Sequence, residues 1–512
     1  MAALAGLLVA VWLTGCATLP PPPDKIPEHA FALPEETELG ALARAVAEPH
    51  PGKTGLVLLD TGYQAFLLRA ALIEAAERSL DAQYYIWNSD ISGTYLARRL
   101  LLAADRGVRV RLLLDDMNVK GRDEVLAALD RHPNIDIRIY NPQAVREGPG
   151  KLLGFAADFR RLNRRMHNKT FVVDGALGIV GGRNIGDEYF DLHDDMNHRD
   201  RDVLAVGPPV REMSAGFDAY WNSRWSYPIG VLAPETADES EWVARLAQAR
   251  EAAADTGAFW RQPPVNPAQG RAMVEQALAG AVWAEAEMVF DPPVEDMQED
   301  TERPMRTAEA LHALVEGSTS EILVESAYFI LGDEQLENLA KTRERGVRVS
   351  VLTNSLASND VTANHAGYAR RRPAMLAGGI ELRELRPDAA ACRAWVETPG
   401  FCDHGRVSLH AKSAVFDRRV LFIGSFNVNL RSIYLNGETL LVIRSEALAN
   451  RVADDIELGM AAENSWRVRQ VDGGWLVWSS GPENTWRREP EAGWWQRFKS
   501  GLIASFPLEK YL

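Results

Sequence analysis

Cysteine is scarce in this 512-residue chain: only Cys16, Cys392 and Cys402 occur, and no CxxC pair points to a zinc site. An excess of basic charge is missing as well. Lys and Arg number 56 against 71 Asp and Glu, a net charge of −15. That argues against a protein that coats nucleic acid without sequence preference, because phosphate binding needs a basic field. The apolar run from Met1 to Leu13 is too short for a membrane-spanning helix. A nucleotide-binding loop is also excluded. Ala47 to Thr54 matches its spacing formally, but Pro49 and Pro51 lie inside it and a strand follows where a helix is needed. What remains is a globular composition, 46% apolar and 25% charged, long enough for two domains and extras.

The N-terminus carries its own signal. Leu13-Thr14-Gly15-Cys16 follows the apolar run, an order that resembles a bacterial lipoprotein leader, although no Lys or Arg opens it. That likeness implies residues 1–15 as signal, lipidation at Cys16 and attachment to a membrane facing the periplasm. Ala17 is not the aspartate that retains such proteins at the inner membrane, which favours the outer one. Residues 16–45, rich in proline, then read as an extended tether.

The body of the chain is a duplication. Arg106-Gly-Val-Arg-Val110 recurs as Arg345-Gly-Val-Arg-Val349, and Met166-His-Asn-Lys-Thr170 as Leu409-His-Ala-Lys-Ser413. Gly181-Gly-Arg-Asn184 likewise returns as Gly424-Ser-Phe-Asn427. Blocks repeated in order at nearly constant offset mark a doubled module. Strand-like runs (Leu56 to Asp60, Leu80 to Trp87, Val108 to Leu114) alternate with helical ones, and the second copy repeats the pattern. Such alternation implies α/β layers on a parallel or mixed sheet. The expected units are a first domain at 46–226, a helical linker at 227–283, a second domain at 284–455 and a Trp-rich segment at 456–512.

Each copy carries His-x-Lys-x-x-x-x-Asp: His167, Lys169 and Asp174, then His410, Lys412 and Asp417. Residues i and i+2 of a strand share a face, so His and Lys of each motif point together. The aspartates fall at turns off that face and are expected to be mainly structural. The small residues Gly182 and Ser425, with Asn184 and Asn427 after them, are expected to bring backbone N–H groups and amides to a phosphate.

The doubled motif and the Gly-Gly/Ser-x-Asn blocks resemble the phospholipase D superfamily, nearest to the bacterial cardiolipin synthases of the C type. The likeness runs from about residue 50 to the C-terminus. It implies two tandem α/β sandwich domains packed face to face as a pseudo-dimer around one site. It also implies a phosphatidyltransferase acting on membrane glycerophospholipids, phosphatidylglycerol first and phosphatidylethanolamine second, with no cofactor, no metal and no nucleic acid. A hydrolytic phospholipase D is the alternative, and a nuclease-like phosphodiesterase a more distant one. By family analogy His167 is the nucleophile and His410 the acid and base, an order the residues alone do not fix. Lys169 and Lys412 would hold the phosphoryl oxygens. One further carboxylate in each copy, Asp202 and Glu438, would orient a histidine.

Other signals stay open or point to plain surface. His193 and His198, among aspartates, read as a polar loop rather than a metal site. Arg160, Arg161, Arg164 and Arg165 read equally as a solvated face or as a lure for anionic head groups. Trp494, Trp495, Phe498, Leu502 and Phe506 could share one helical face, either interfacial or buried on the body, with Gly501 and Pro507 weighing toward the second. Cys392 and Cys402 are expected to bond if the protein is exported.

Overall fold

A computed structural model describes residues 19–22, 24–119, 121–146, 148, 150–233, 239–253, 255–297, 303–506 and 509–512. Cys16 and its apolar leader lie outside the described residues. The expected mixed α/β architecture is present, built twice. In the first half Ser79–Tyr84, Arg109–Asp115 and Ile135–Tyr140 run parallel. Thr170–Val173, Leu177–Gly181, Asp202–Val206 and Thr54–Leu59 continue the sheet antiparallel. The second half repeats this with Glu321–Ser326, Arg348–Asn354 and Glu381–Leu385, then Lys412–Phe416, Val420–Gly424 and Thr439–Arg444.

One strand, Val282–Phe290, joins the halves. Its first residues pair with Thr54–Leu56 and its later ones with Thr439–Arg444, giving a continuous 18-stranded sheet among the described residues. An apolar core also crosses the boundary, where Leu58, Val180 and Val203 cluster with Leu421, Ile423 and Leu441. Burying such side chains contributes roughly 1.5–3 kcal/mol each, which holds two half-sites in register.

The flanks differ from expectation. The stretch read as a tether is docked: Lys25 Nζ donates to Ser226 O at 2.6 Å and the Ala30 N–H to Asp218 at 2.9 Å. Thr37 then caps the helix Glu38–Ala47. The stretch 227–283 carries the helices Glu239–Ala252 and Pro267–Ala279, and Arg99 ties it to the first half by donating to Val265 O at 2.9 Å. The Trp-rich segment does not form a unit apart. Ser465–Gln470 adds to the second sheet beside Glu381–Leu385, and Trp466 and Trp478 are buried. A disulfide joins Cys392 and Cys402.

Candidate active site

His167 and Lys169 stand at the entry to Thr170–Val173; His410 and Lys412 hold the same place at Lys412–Phe416. Each histidine is tied to the opposite half through its backbone. The His167 N–H donates to Gly437 O and the His410 N–H to Arg199 O, both at 2.8 Å. Short strands Met196–Arg199 and Arg406–Leu409 run parallel across the same boundary.

The side chains make the same exchange. Glu438 of the second half lies 2.7 Å from His167 Nδ1, and Asp200 of the first lies 2.5 Å from His410 Nδ1. A carboxylate only accepts, so each Nδ1 carries the proton and each Nε2 keeps a free lone pair. Both acids are fully buried.

Asp202, expected to orient a histidine, does not reach one. Its carboxylate accepts from Arg69 at 2.9 Å and lies 3.6 Å from Arg183. Sheet register explains the difference. Gly181 pairs with Asp202 whereas Gly424 pairs with Leu440, so the counterpart of Glu438 is Asp200. A slip of two residues leaves every side chain on its own face, so apolar alternation could not reveal it.

Gly182 and Ser425 also serve the acids rather than an open phosphate cradle. Their N–H groups are already used, donating to Arg201 O and Thr439 O. Ser425 Oγ donates to Glu438. At Gly182 a Cβ would come within 2.2 Å of Asp200 Oδ1, so only glycine lets that carboxylate approach. Asn184 and Asn427 differ in keeping an amide atom unpaired. Asn184 Nδ2 is buried without a hydrogen-bond partner, and so is Asn427 Oδ1, where a turn of the amide presents the NH2 instead. Unpaired buried polar atoms cost free energy unless a ligand meets them.

Asp174 and Asp417 stand at turns with φ of 52° each, the left-handed region that Asp tolerates. Asp174 accepts from the N–H groups of Glu77, Arg78 and Ser79. Asp417 does the same for Thr319, Ser320 and Glu321. They fasten one strand end to the next and touch no reacting group.

Burial is the largest influence on His167 and lowers it to about 4 against the pull of Glu438. His410 is held well below its ordinary value by burial and then by Lys412. Lys169 falls to about 7 and Lys412 to about 8, again by burial first. Burial raises Asp200 and Glu438, but the facing imidazoles together with Lys412 and Arg183 at Asp200, and with Lys169 and Ser425 at Glu438, outweigh it and hold both below the usual carboxylate range. Lys412 is among the charges acting on His167, and Glu438 acts on both lysines, so the two motifs share one buried site.

Three neighbours escaped sequence reasoning. The Tyr85 ring stands edge-on to His167 at 5.0 Å and the Tyr189 ring edge-on to His410 at 5.0 Å. His198, read as a surface loop residue, is buried with its ring 5.3 Å from His410. It lies two before Asp200 and so has that acid's parity, the one clue available. Of the four arginines, Arg161, Arg164 and Arg165 are buried, not a solvated face. Arg165 pairs with Asp115 at 3.3 Å.

Known proteins resemble this chain. The family model described as "Cardiolipin synthase, PLD-like domain" matches twice, at residues 70–221 and 311–458. Cardiolipin synthase C of Escherichia coli is 37% identical over 92% of this chain and 99% of its own length. Cardiolipin synthase B of Escherichia coli is 25% identical over 88% of this chain and 86% of its own. Phosphatidylserine synthase of Haemophilus influenzae shares the fold, with a TM-score of 0.57 and 12% identity over 92% of this chain and 100% of that one. With a doubled family match and a relative this similar along nearly its whole length, the chain belongs to the phospholipase D-like phosphatidyltransferase family that includes the cardiolipin synthases.

Proposed function

We propose that this enzyme makes cardiolipin by passing a phosphatidyl group from one glycerophospholipid to another through a phosphohistidine. The observation that carries the mechanism is the crossed pair of buried imidazoles, each held by a carboxylate of the other half. The product reading rests on the 37% identity to cardiolipin synthase C across 99% of that relative.

His167 attacks phosphorus through Nε2, because Nδ1 is committed to Glu438. The incoming phosphodiester draws Lys412 off His410, whose Nε2 then takes a proton from solvent; as the bond from phosphorus to the leaving alcohol breaks, His410 gives that proton to the departing oxygen. In the second step His410 takes the proton from the acceptor hydroxyl. The acceptor oxygen bonds to phosphorus as the P–N bond to His167 breaks, so both histidines return to their starting states. Lys169, Lys412, Asn184 and Asn427 hold the phosphoryl oxygens as charge builds. An arriving phosphodiester anion favours the charged form of both lysines, countering the burial that lowers them.

Incubating the pure protein with phosphatidylglycerol and phosphatidylethanolamine, then typing products by mass spectrometry, tests the reading. Cardiolipin is expected; phosphatidic acid alone would make the enzyme a hydrolase. Export as a lipoprotein anchored at Cys16 fits the disulfide, a bond of oxidising compartments. Labelled fatty acid should enter the parent protein in cells but not Cys16→Ser; no label in the parent would reject the anchor.

A further inference from the structure

The helix Trp494–Ala504 rests one side on the helix Thr362–Ala377 and turns its aromatic side outward. Trp494 is 72% exposed, Trp495 53%, Phe498 49% and Leu502 55%. Leaving four large apolar groups together in water is costly, and such a patch on a soluble surface marks an interaction site. Trp494 and Trp495 each stack on Phe498, at 5.7 and 5.3 Å between ring centroids, so the group is a preformed plate.

Charge and position say what covers it. The helix has no acidic residue, and Arg497 and Lys499 give it two positive charges in a chain of net charge −15. Lys499 Nζ lies 5.4 Å from the Trp495 ring centroid, cation beside indole. The chain beyond the plate also leads toward the site, where Glu509–Tyr511 packs on Leu430–Tyr434, just past Asn427. Beyond the helix, the Tyr511 ring meets Phe159 edge-on at 5.0 Å, and Phe159 is itself 38% exposed, eight residues before His167. Arg431 binds the Tyr511 carbonyl at 3.2 Å while its charge acts on Tyr85 and Glu438 inside the site. Among the described residues no helix is long and apolar enough to cross a membrane.

We propose that Trp494, Trp495, Phe498 and Leu502, extended by Tyr511 and Phe159, dock the enzyme on an anionic phospholipid bilayer with the site mouth facing the lipid. Tryptophan favours the head-group layer, and basic residues beside it add attraction to anionic lipids. The choice of a bilayer as occupant rests on the phospholipid substrate of the proposed function.

The test uses the full chain with Cys16→Ser, so that no acyl anchor contributes, and flotation with vesicles of phosphatidylglycerol and phosphatidylethanolamine. The triple change Trp494→Ala, Trp495→Ala, Phe498→Ala should weaken vesicle binding at least tenfold and slow transfer on vesicles with it. Its activity on a short-chain phospholipid dissolved as monomers should be unchanged. Lys499→Glu should weaken binding to these vesicles but not to phosphatidylcholine vesicles. Equal flotation of the triple variant and its parent would overturn the proposal. So would a dimer in sizing experiments that the triple change splits, since a second copy would then own the plate. Flotation without any transfer activity would reject the proposed function and leave the docking surface standing.

Discussion

His167 and His410 occupy equivalent places in the repeat, yet their carboxylates keep different company. Glu438 accepts from Ser425, from Ser432 at 2.7 Å and from Asn436 at 3.3 Å besides facing His167, a cage of neutral donors. Asp200 has Gly182 where that cage has Ser425, and accepts the Arg201 N–H at 2.7 Å. Beside His410 stand a second imidazole, His198, and Lys412 Nζ, 3.0 Å from Nδ1. The halves are one fold but two proton environments. Burial, and then Lys412, keep the His410 imidazole neutral, and a phosphate that draws Lys412 away would help it take a second proton. That suits an acid and base which must change state twice, whereas the neutral cage suits a nucleophile that must stay unprotonated.

The comparison can be broken at several points, the largest effect first. Without His410 the leaving alcohol has no proton donor, and His410→Ala should lose ~10²–10⁴-fold in turnover. His167→Ala should lose at least as much, because no covalent intermediate forms. Half the activity surviving in either variant would mean two independent catalysts. Next comes Gly182→Ala, whose Cβ must displace Asp200; misplacement by an ångström costs roughly 10²-fold. Ser425→Ala, at the equivalent place, removes the hydrogen bond donated to Glu438 and the one accepted from the Thr439 N–H, but Ser432 and Asn436 still hold the carboxylate, so it should cost less than Gly182→Ala. Equal losses at the two positions would erase the proposed asymmetry. Among the described residues only the second half carries a disulfide, and Cys392→Ser should lower stability by about 2–4 kcal/mol in denaturant unfolding.

The smallest effects are in pH. Folded His167 holds no proton until about 4, whereas the unfolded chain takes one near 6.5. Protons therefore favour unfolding between those values: this part of the stability is complete above 6.5 and is lost as pH falls toward 4. Thermal unfolding of His167→Gln should show a shallower acid slope than the parent. On the alkaline side, kcat/KM should fall above about pH 7–8 as Lys169 and Lys412 lose charge in the free enzyme. Lys169→Arg should move that limb upward.

Much of this was legible in the sequence because duplication supplies its own control. Strands predicted at Leu80 and Val108 appear as Ser79–Tyr84 and Arg109–Asp115, and their counterparts repeat. The histidine motifs and the turn aspartates could be read because spacing within a strand fixes the face, and Glu438 because it matches the downstream acid of the resembled family. Asp202 was misplaced because a strand slipped by two residues looks the same. His198 reads as solvated and the arginines stay open between a solvated face and a head-group lure because polarity argues for the surface, and only tertiary pairing shows who neutralises them. The aromatic helix was expected to close on the body; exposure of Trp494 and Trp495 depends on which side meets Thr362–Ala377, which its own sequence does not say. The proline-rich stretch looked free because its anchors, such as Asp218 and Ser226, lie far along the chain.

One measurement bears most directly on the shared site. The enzyme would be rapidly quenched while turning over a phospholipid labelled at phosphorus, and its peptides mapped for phosphohistidine. The crossed geometry predicts one label per chain, on His167. It also predicts that His410→Ala keeps the label, and stalls, when the leaving group needs no protonation. Label on His410 alone would exchange the two roles within the same site. Two labels per chain, one on each histidine, would contradict the shared site itself.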